Sequence, residues 1–229
     1  MPMLTWERVV LIVIQLACTV FSIMVHEIAH GYAAWRMGDP TAKRAGRLSL
    51  NPAKHLDPFG SILLPFVMSL LQGPIFAYAK PVPYNPYYFK DRKKGELVVA
   101  FAGPASNLLQ AFVGAALCWG VYLVSPSVPL AAWEALSWVY TVGQYYCIIN
   151  LVLLFFNIIP LPPLDGASIV AVFLNEKGLE KFYRVKAYSM FILLLVLFVI
   201  PMATPWNPLG WYLNHTAYSL FAMLMPGSM

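Results

Sequence analysis

The chain has 229 residues, of which 60% are hydrophobic and 11% charged, with a net charge of +5. A soluble globular domain carries about 25% charged residues, so this composition belongs to an integral membrane protein and excludes a soluble enzyme or carrier. The positive balance is not a nucleic-acid footprint, because the lysines and arginines fall in short loops between apolar runs and form no basic face with interleaved aromatics.

The N-terminus reads MPMLTWERVV, with Glu7 beside Arg8 and no small-residue cleavage site after the apolar run, so the first span is expected to be retained. That span covers about residues 9–37, and its run from Val9 to Val25 carries no charge. It ends in HEIAH, His26 to His30. Two histidines four residues apart share one helical face and can bind one zinc ion, while Glu27 projects beside them. Zinc lowers the pKa of a water to about 7, and a neighbouring carboxylate can take the proton as that water attacks a carbonyl. Ionisable groups inside a span are expensive, at about 2.5 kcal/mol or more each, which argues against a chance match.

Further along, Ser61–Ala79 is apolar but interrupted by Pro65 and the Gly73-Pro74 pair. The stretches Ala45–Pro52 and Ala77–Pro86 flank it and read as short extended segments, or as plain loops; a free strand edge there can pair with an unwound peptide. Further spans are expected at about 97–124, 138–160 and 187–203, each near the length of about 20 residues that crosses the hydrocarbon core. Thr216–Met225 is too short to cross. Cys18, Cys118 and Cys147 sit in apolar runs without C-x-x-C spacing and read as packing residues. No repeat or linker divides the chain, so residues 1–229 read as one membrane-embedded domain.

Charge bias sets the orientation. Arg36, Lys43, Arg44, Arg47 and Lys54 follow the first span; Lys80, Lys90, Arg92, Lys93 and Lys94 precede the second; Lys177, Lys181, Arg184 and Lys186 precede the last. With all three groups cytoplasmic, the N-terminus lies outside and residues 61–79 enter and leave on the same side as a re-entrant hairpin. SPSVPLAAWEALS and TPWNPLGWYLNH lack lysine and arginine and are expected outside.

A catalytic zinc needs a third protein ligand. Asp165 is the ionisable residue at the end of the third span, after Pro160, Pro162 and Pro163, and the orientation gives it the depth of His26 and His30. Its alternative is an N-cap of the helix that follows. His55 and Asp57 are rival ligands in a basic loop, where they read as solvated or turn residues, and His215 lies in the outer segment.

HEIAH inside a span, followed over a hundred residues later by NIIPLPPLDG, resembles the site-2 protease family of intramembrane zinc metalloproteases. FAGPASN, Phe101 to Asn107, resembles a motif of that family's central span, although Gly103 and Asn107 suit simple helix packing as well. The resemblance covers about residues 9–170 and implies an all-α polytopic membrane protein: a three-span catalytic core, a further C-terminal span with a tail over 171–229, and a re-entrant hairpin with short β segments between the first two core spans. It also implies one Zn²⁺ per chain on His26, His30 and Asp165, Glu27 as base, and Asn157 and Asn107 toward the substrate or its oxyanion. The implied activity is regulated intramembrane proteolysis of a transmembrane protein, single-span by expectation, within the bilayer of a prokaryotic cell membrane. The active site would lie nearer the cytoplasmic face. The chain is similar to short members without PDZ or nucleotide-sensing domains. A zinc transporter and a catalytically inactive, membrane-protein-binding relative are the rival functions; the first should show repeated sites and the second should have lost Glu27.

Overall fold

The computed structural model describes residues 5–55, 57, 60, 63, 66–67 and 80–227. Among the described residues every regular element is a helix. Helix α1 spans Trp6–Arg36, with Thr5 at its N-cap, Glu7 in the first turn and Arg36 in the last, each sign suited to its end of the helix dipole. The chain then turns through Gly38, at φ 109°, into the one-turn helix α2, Thr41–Arg44. Helix α3 spans Arg92–Val124 and opens on Asp91, whose side chain accepts the Lys94 N–H at 3.0 Å. Helix α4 spans Trp133–Ile158, α5 Asp165–Phe173 and α6 Glu176–Leu194. A π turn over Leu195–Val199 continues α6 into α7, Ile200–Ala203. The tail forms α8, Pro208–Leu213, a π turn over Asn214–Tyr218, and α9, Ser219–Leu224.

Among the described residues four helical stretches are long and apolar enough to cross a membrane: Trp6–Arg36, Arg92–Ser127, Leu130–Ile158 and Glu176–Ala203. They coincide with the four expected spans. All four begin earlier than hydropathy suggests, and in the second and fourth Asp91 and Asn175 cap polar first turns that precede the apolar stretch.

Helices α1, α3 and α4 form the core. His30 lies beside Val99 and Ser22 beside Gln110, so α1 and α3 run antiparallel. Asn107 meets Asn150 while Cys118 meets Tyr140, so α3 and α4 are antiparallel as well. Close approach needs small side chains: a Cβ on Gly114 would stand 2.6 Å from the Cys147 backbone nitrogen. Cys118 and Cys147 are buried free thiols in the main apolar cluster, as packing residues should be, and Cys18 is buried and free in α1.

The tail departs from expectation. Leu213, Ala217 and Met225 join that same cluster. The Tyr212 hydroxyl donates to Phe155 O at 3.1 Å, and Trp119 Nε1–H donates to Leu224 O at 2.9 Å. Residues 208–224 therefore run back along α4, starting at the end of α4 that leads to Asp165. Part of TPWNPLGWYLNH, around Tyr212 and Leu213, thus lies beside the end of α4 that leads to Asp165.

The short β segments expected at 45–52 and 77–86 are not formed among the described residues, which there make turns and the 3-10 helices Pro52–Lys54 and Pro86–Tyr88. The hairpin expected over 61–79 lies outside the described residues, save Leu63, Phe66 and Val67.

Candidate metal centre

The four-residue spacing on α1 brings the two imidazoles together, with His26 Nε2 3.0 Å from His30 Nε2. Asp165, the first residue of α5, places Oδ2 3.2 Å from His26 Nε2 and 3.3 Å from His30 Nε2. Two glycines permit this. A Cβ on Gly103 of α3 would stand 2.6 Å from His26 Nε2 and closer still to His30 Nε2. One on Gly166 would overlap the Ile158 carbonyl, so the turn from α4 into α5 closes tightly only with glycine after Asp165.

The outer nitrogens fix the tautomers. His26 Nδ1–H donates to Asn107 Oδ1, and His30 Nδ1–H donates to Val99 O at 2.7 Å. Both Nε2 atoms then carry lone pairs, and these face one another and a carboxylate oxygen. Among the described residues Asp165 Oδ2 is buried without a hydrogen bond. Three electron-rich atoms so arranged repel unless a cation sits among them. Ligands at about 2.0–2.1 Å from a tetrahedral zinc lie about 3.3 Å apart, which the three distances approach. The donor set fits zinc.

Behind His26 runs a buried polar chain. Asn107 Nδ2–H donates to Asn150 Oδ1 at 2.8 Å, and Asn150 Nδ2–H donates to Ser22 Oγ and to Tyr146 O, each at 2.8 Å. Asn107, Asn150 and Ser22 are each 0% exposed. Sequence reading passed over Asn150, although an amide within an uncharged span is a signal of its own. Asn107, expected at the substrate or its oxyanion, turns its Oδ1 to His26 and one Nδ2–H to Asn150.

Glu27 stands apart from the three ligand atoms, and its Oε2 accepts the Val82 N–H at 2.8 Å. Asn157, in the last turn of α4, donates Nδ2–H to Leu153 O at 3.0 Å. His55 is a turn residue, buried rather than solvated, and its Nε2–H donates to Ser49 O at 2.8 Å. Burial first, then the charge of Arg47, holds its pKa below the ordinary histidine value. Asp57 accepts the Gly60 N–H at 2.8 Å, as a turn residue does. His215 donates Nδ1–H to Trp211 O at 2.8 Å within its own helix. Among the described residues neither His55, Asp57 nor His215 joins the cluster of His26, His30 and Asp165.

Comparison with known proteins bears on what such a cluster does. The model of peptidase family M50 matches residues 124–200, a stretch that holds Asn157 and Asp165 but not HEIAH. The chain is 40% identical over 188 residues to the Bacillus subtilis protein named "Putative zinc metalloprotease YwhC", covering 81% of this chain and 80% of that protein. The chain belongs to peptidase family M50. The M50 likeness extends to "Putative zinc metalloprotease Rip2" of Mycolicibacterium smegmatis, 26% identical over 95% of this chain and 79% of that protein. It extends also to "Putative zinc metalloprotease MJ0611" of Methanocaldococcus jannaschii, 25% identical over 71% of each chain. No solved structure matches the chain. As an M50 member with four apolar helices, it is a multi-pass membrane protein of the site-2 zinc metalloprotease type.

Proposed function

We propose that this chain cleaves peptide bonds within or near the membrane spans of other proteins, using one zinc ion held by His26, His30 and Asp165. The observation that carries the reading is the convergence of their three ligand atoms within 4.8 Å of one another. Zinc in such a site supplies a Lewis acid and an acidified water, of pKa about 7. The chain's own groups do the rest. Glu27, not a ligand, takes the water proton on its carboxylate and passes it to the departing amine. The Val82 N–H holds Oε2 and so fixes which way that carboxylate turns. Asn157, near the end of α4, is assigned to the scissile carbonyl or its oxyanion. Asn107 keeps His26 in the tautomer a metal requires.

The substrate is a single-span protein, cut in regulated intramembrane proteolysis. Its helix must unwind, because helical hydrogen bonds shield each carbonyl from attack. The site lies nearer the cytoplasmic face of a prokaryotic cell membrane, with the N-terminus outside. Three basic loops support that orientation. The antiparallel contacts of α1 and α3 support a segment between them that returns to the side it left, and hence a re-entrant course for residues 61–79.

Substitution of the base separates metal binding from chemistry. Glu27→Gln should keep close to one zinc per chain by elemental analysis while lowering cleavage of a transmembrane substrate at least 100-fold, the lower range for a general base. A Glu27→Gln protein that loses its zinc, or one that cleaves normally, would contradict the assignment.

A further inference from the structure

The chain from Lys80 to Asn85 crosses the catalytic turn of α1 without belonging to any helix, and its backbone is held at Lys80, Pro81, Val82 and Asn85. Arg47 Nη2–H donates to Lys80 O at 2.5 Å and reaches Pro81 O at 3.4 Å. Lys80 N–H donates to His55 O at 2.9 Å, Val82 N–H to Glu27 Oε2 at 2.8 Å, and Asn85 N–H to Asp39 Oδ2 at 2.6 Å. Pro81 and Pro83 carry no N–H, so an edge facing away from α1 offers a substrate strand few donors. The side of this stretch that faces α1 has a role of its own.

Arg47 is the cation in this arrangement. It is 8% exposed, and its guanidinium lies on backbone carbonyls rather than on a carboxylate. A buried arginine is costly unless its geometry is required. The same strap is seated from the other side: a Cβ on Gly31, the residue after the second histidine, would stand 2.7 Å from Val82 Cγ1 and 2.9 Å from Leu48 Cδ2. Val82 is itself 6% exposed. Arg47 thus pulls the strap toward α1 at Lys80, Gly31 makes room for it, and the Val82 N–H arrives on Glu27.

We propose that Arg47 is a positioning residue for catalysis, acting through the Lys80–Val82 backbone to hold Glu27 in its working orientation. The inference rests on Glu27 as the base. Arg47 touches none of the three ligand atoms, so its loss leaves the metal in place and misdirects the carboxylate.

The test uses the full chain, zinc-loaded in detergent micelles, with a fluorogenic single-span peptide that the wild type cuts. Arg47→Met should lower kcat about tenfold or more, leave KM within about twofold, and retain close to one zinc per chain. Arg47→Lys, which keeps one donor in reach of Lys80 O, should recover part of kcat. Hydrogen exchange over residues 80–89 should quicken in Arg47→Met while residues 95–110 stay unchanged. Val82→Pro removes the N–H and should lower kcat, whereas Val82→Ala keeps it and should lower kcat less. Normal kcat in Arg47→Met, a change confined to KM, equal effects of the two Val82 variants, or lost zinc would each overturn the proposal. Glu27→Gln is run alongside: if it is inactive while Arg47→Met is normal, only the positioning role fails, and if it is active, the base assignment fails and the positioning role with it.

Discussion

An imidazole binds a metal only through a nitrogen that carries no proton, so each histidine of the pair needs its other nitrogen occupied. Val99 O does this for His30 and Asn107 for His26, but an amide can turn over and a carbonyl cannot. Asn150 removes that freedom. By accepting from Asn107 Nδ2, and being fixed in turn by Ser22 Oγ and Tyr146 O, it leaves Asn107 Oδ1 facing His26. Asn107→Ala should therefore weaken zinc binding by about 10- to 100-fold, the usual scale for losing an orienting partner. Asn150→Ala should act in the same direction and less strongly. Competition with a fluorescent chelator measures both, and unchanged zinc affinity in Asn107→Ala would refute the orienting role. HEIAH was legible because helical spacing alone stacks its histidines, and Asp165 because three prolines break the span just before it. Asn150 and Arg47 were not, since their partners lie 43 and 33 residues away and nothing local foretells the contact.

At the level of elements, the four apolar helices could be read from hydropathy, and their polar extensions only from the caps Asp91 and Asn175. The packing of the tail was not legible, because loop charge says nothing of which helix a segment lies on. A segment without lysine or arginine can be outside the membrane or packed on a neighbour, and here Leu213 and Ala217 pack against α4. The stretch between α1 and α3 carries the strongest consequence. If residues 61–79 crossed fully, Lys93 would sit opposite Lys43. With α1 and α3 antiparallel, the two ends of the stretch belong on one side. In a cysteine-free background, Lys93→Cys should react with an impermeant thiol reagent only from the cytoplasmic side, as Lys43→Cys should. Labelling of Lys93→Cys from outside, in a chain that still cleaves, would remove both the hairpin and the orientation.

Taken whole, the molecule is a three-helix core whose polar interior converges on one point. Ser22 and His26 come from α1, Asn107 from α3, Asn150 from α4, and Asp165 from the start of α5. An apolar surface surrounds them, so the expense of burying these groups needs a return, and the facing lone pairs of His26, His30 and Asp165 fit a metal ion there. The central claim is that Asp165 completes the site. Zinc content of the purified full chain tests it most directly, measured for the wild type, Asp165→Ala and His55→Gln after dialysis against a weak chelator. The wild type and His55→Gln should each hold close to one zinc, and Asp165→Ala should hold little and cleave nothing. Full zinc in Asp165→Ala, or an emptied site in His55→Gln, would move the metal to the loop after α2 and contradict the account.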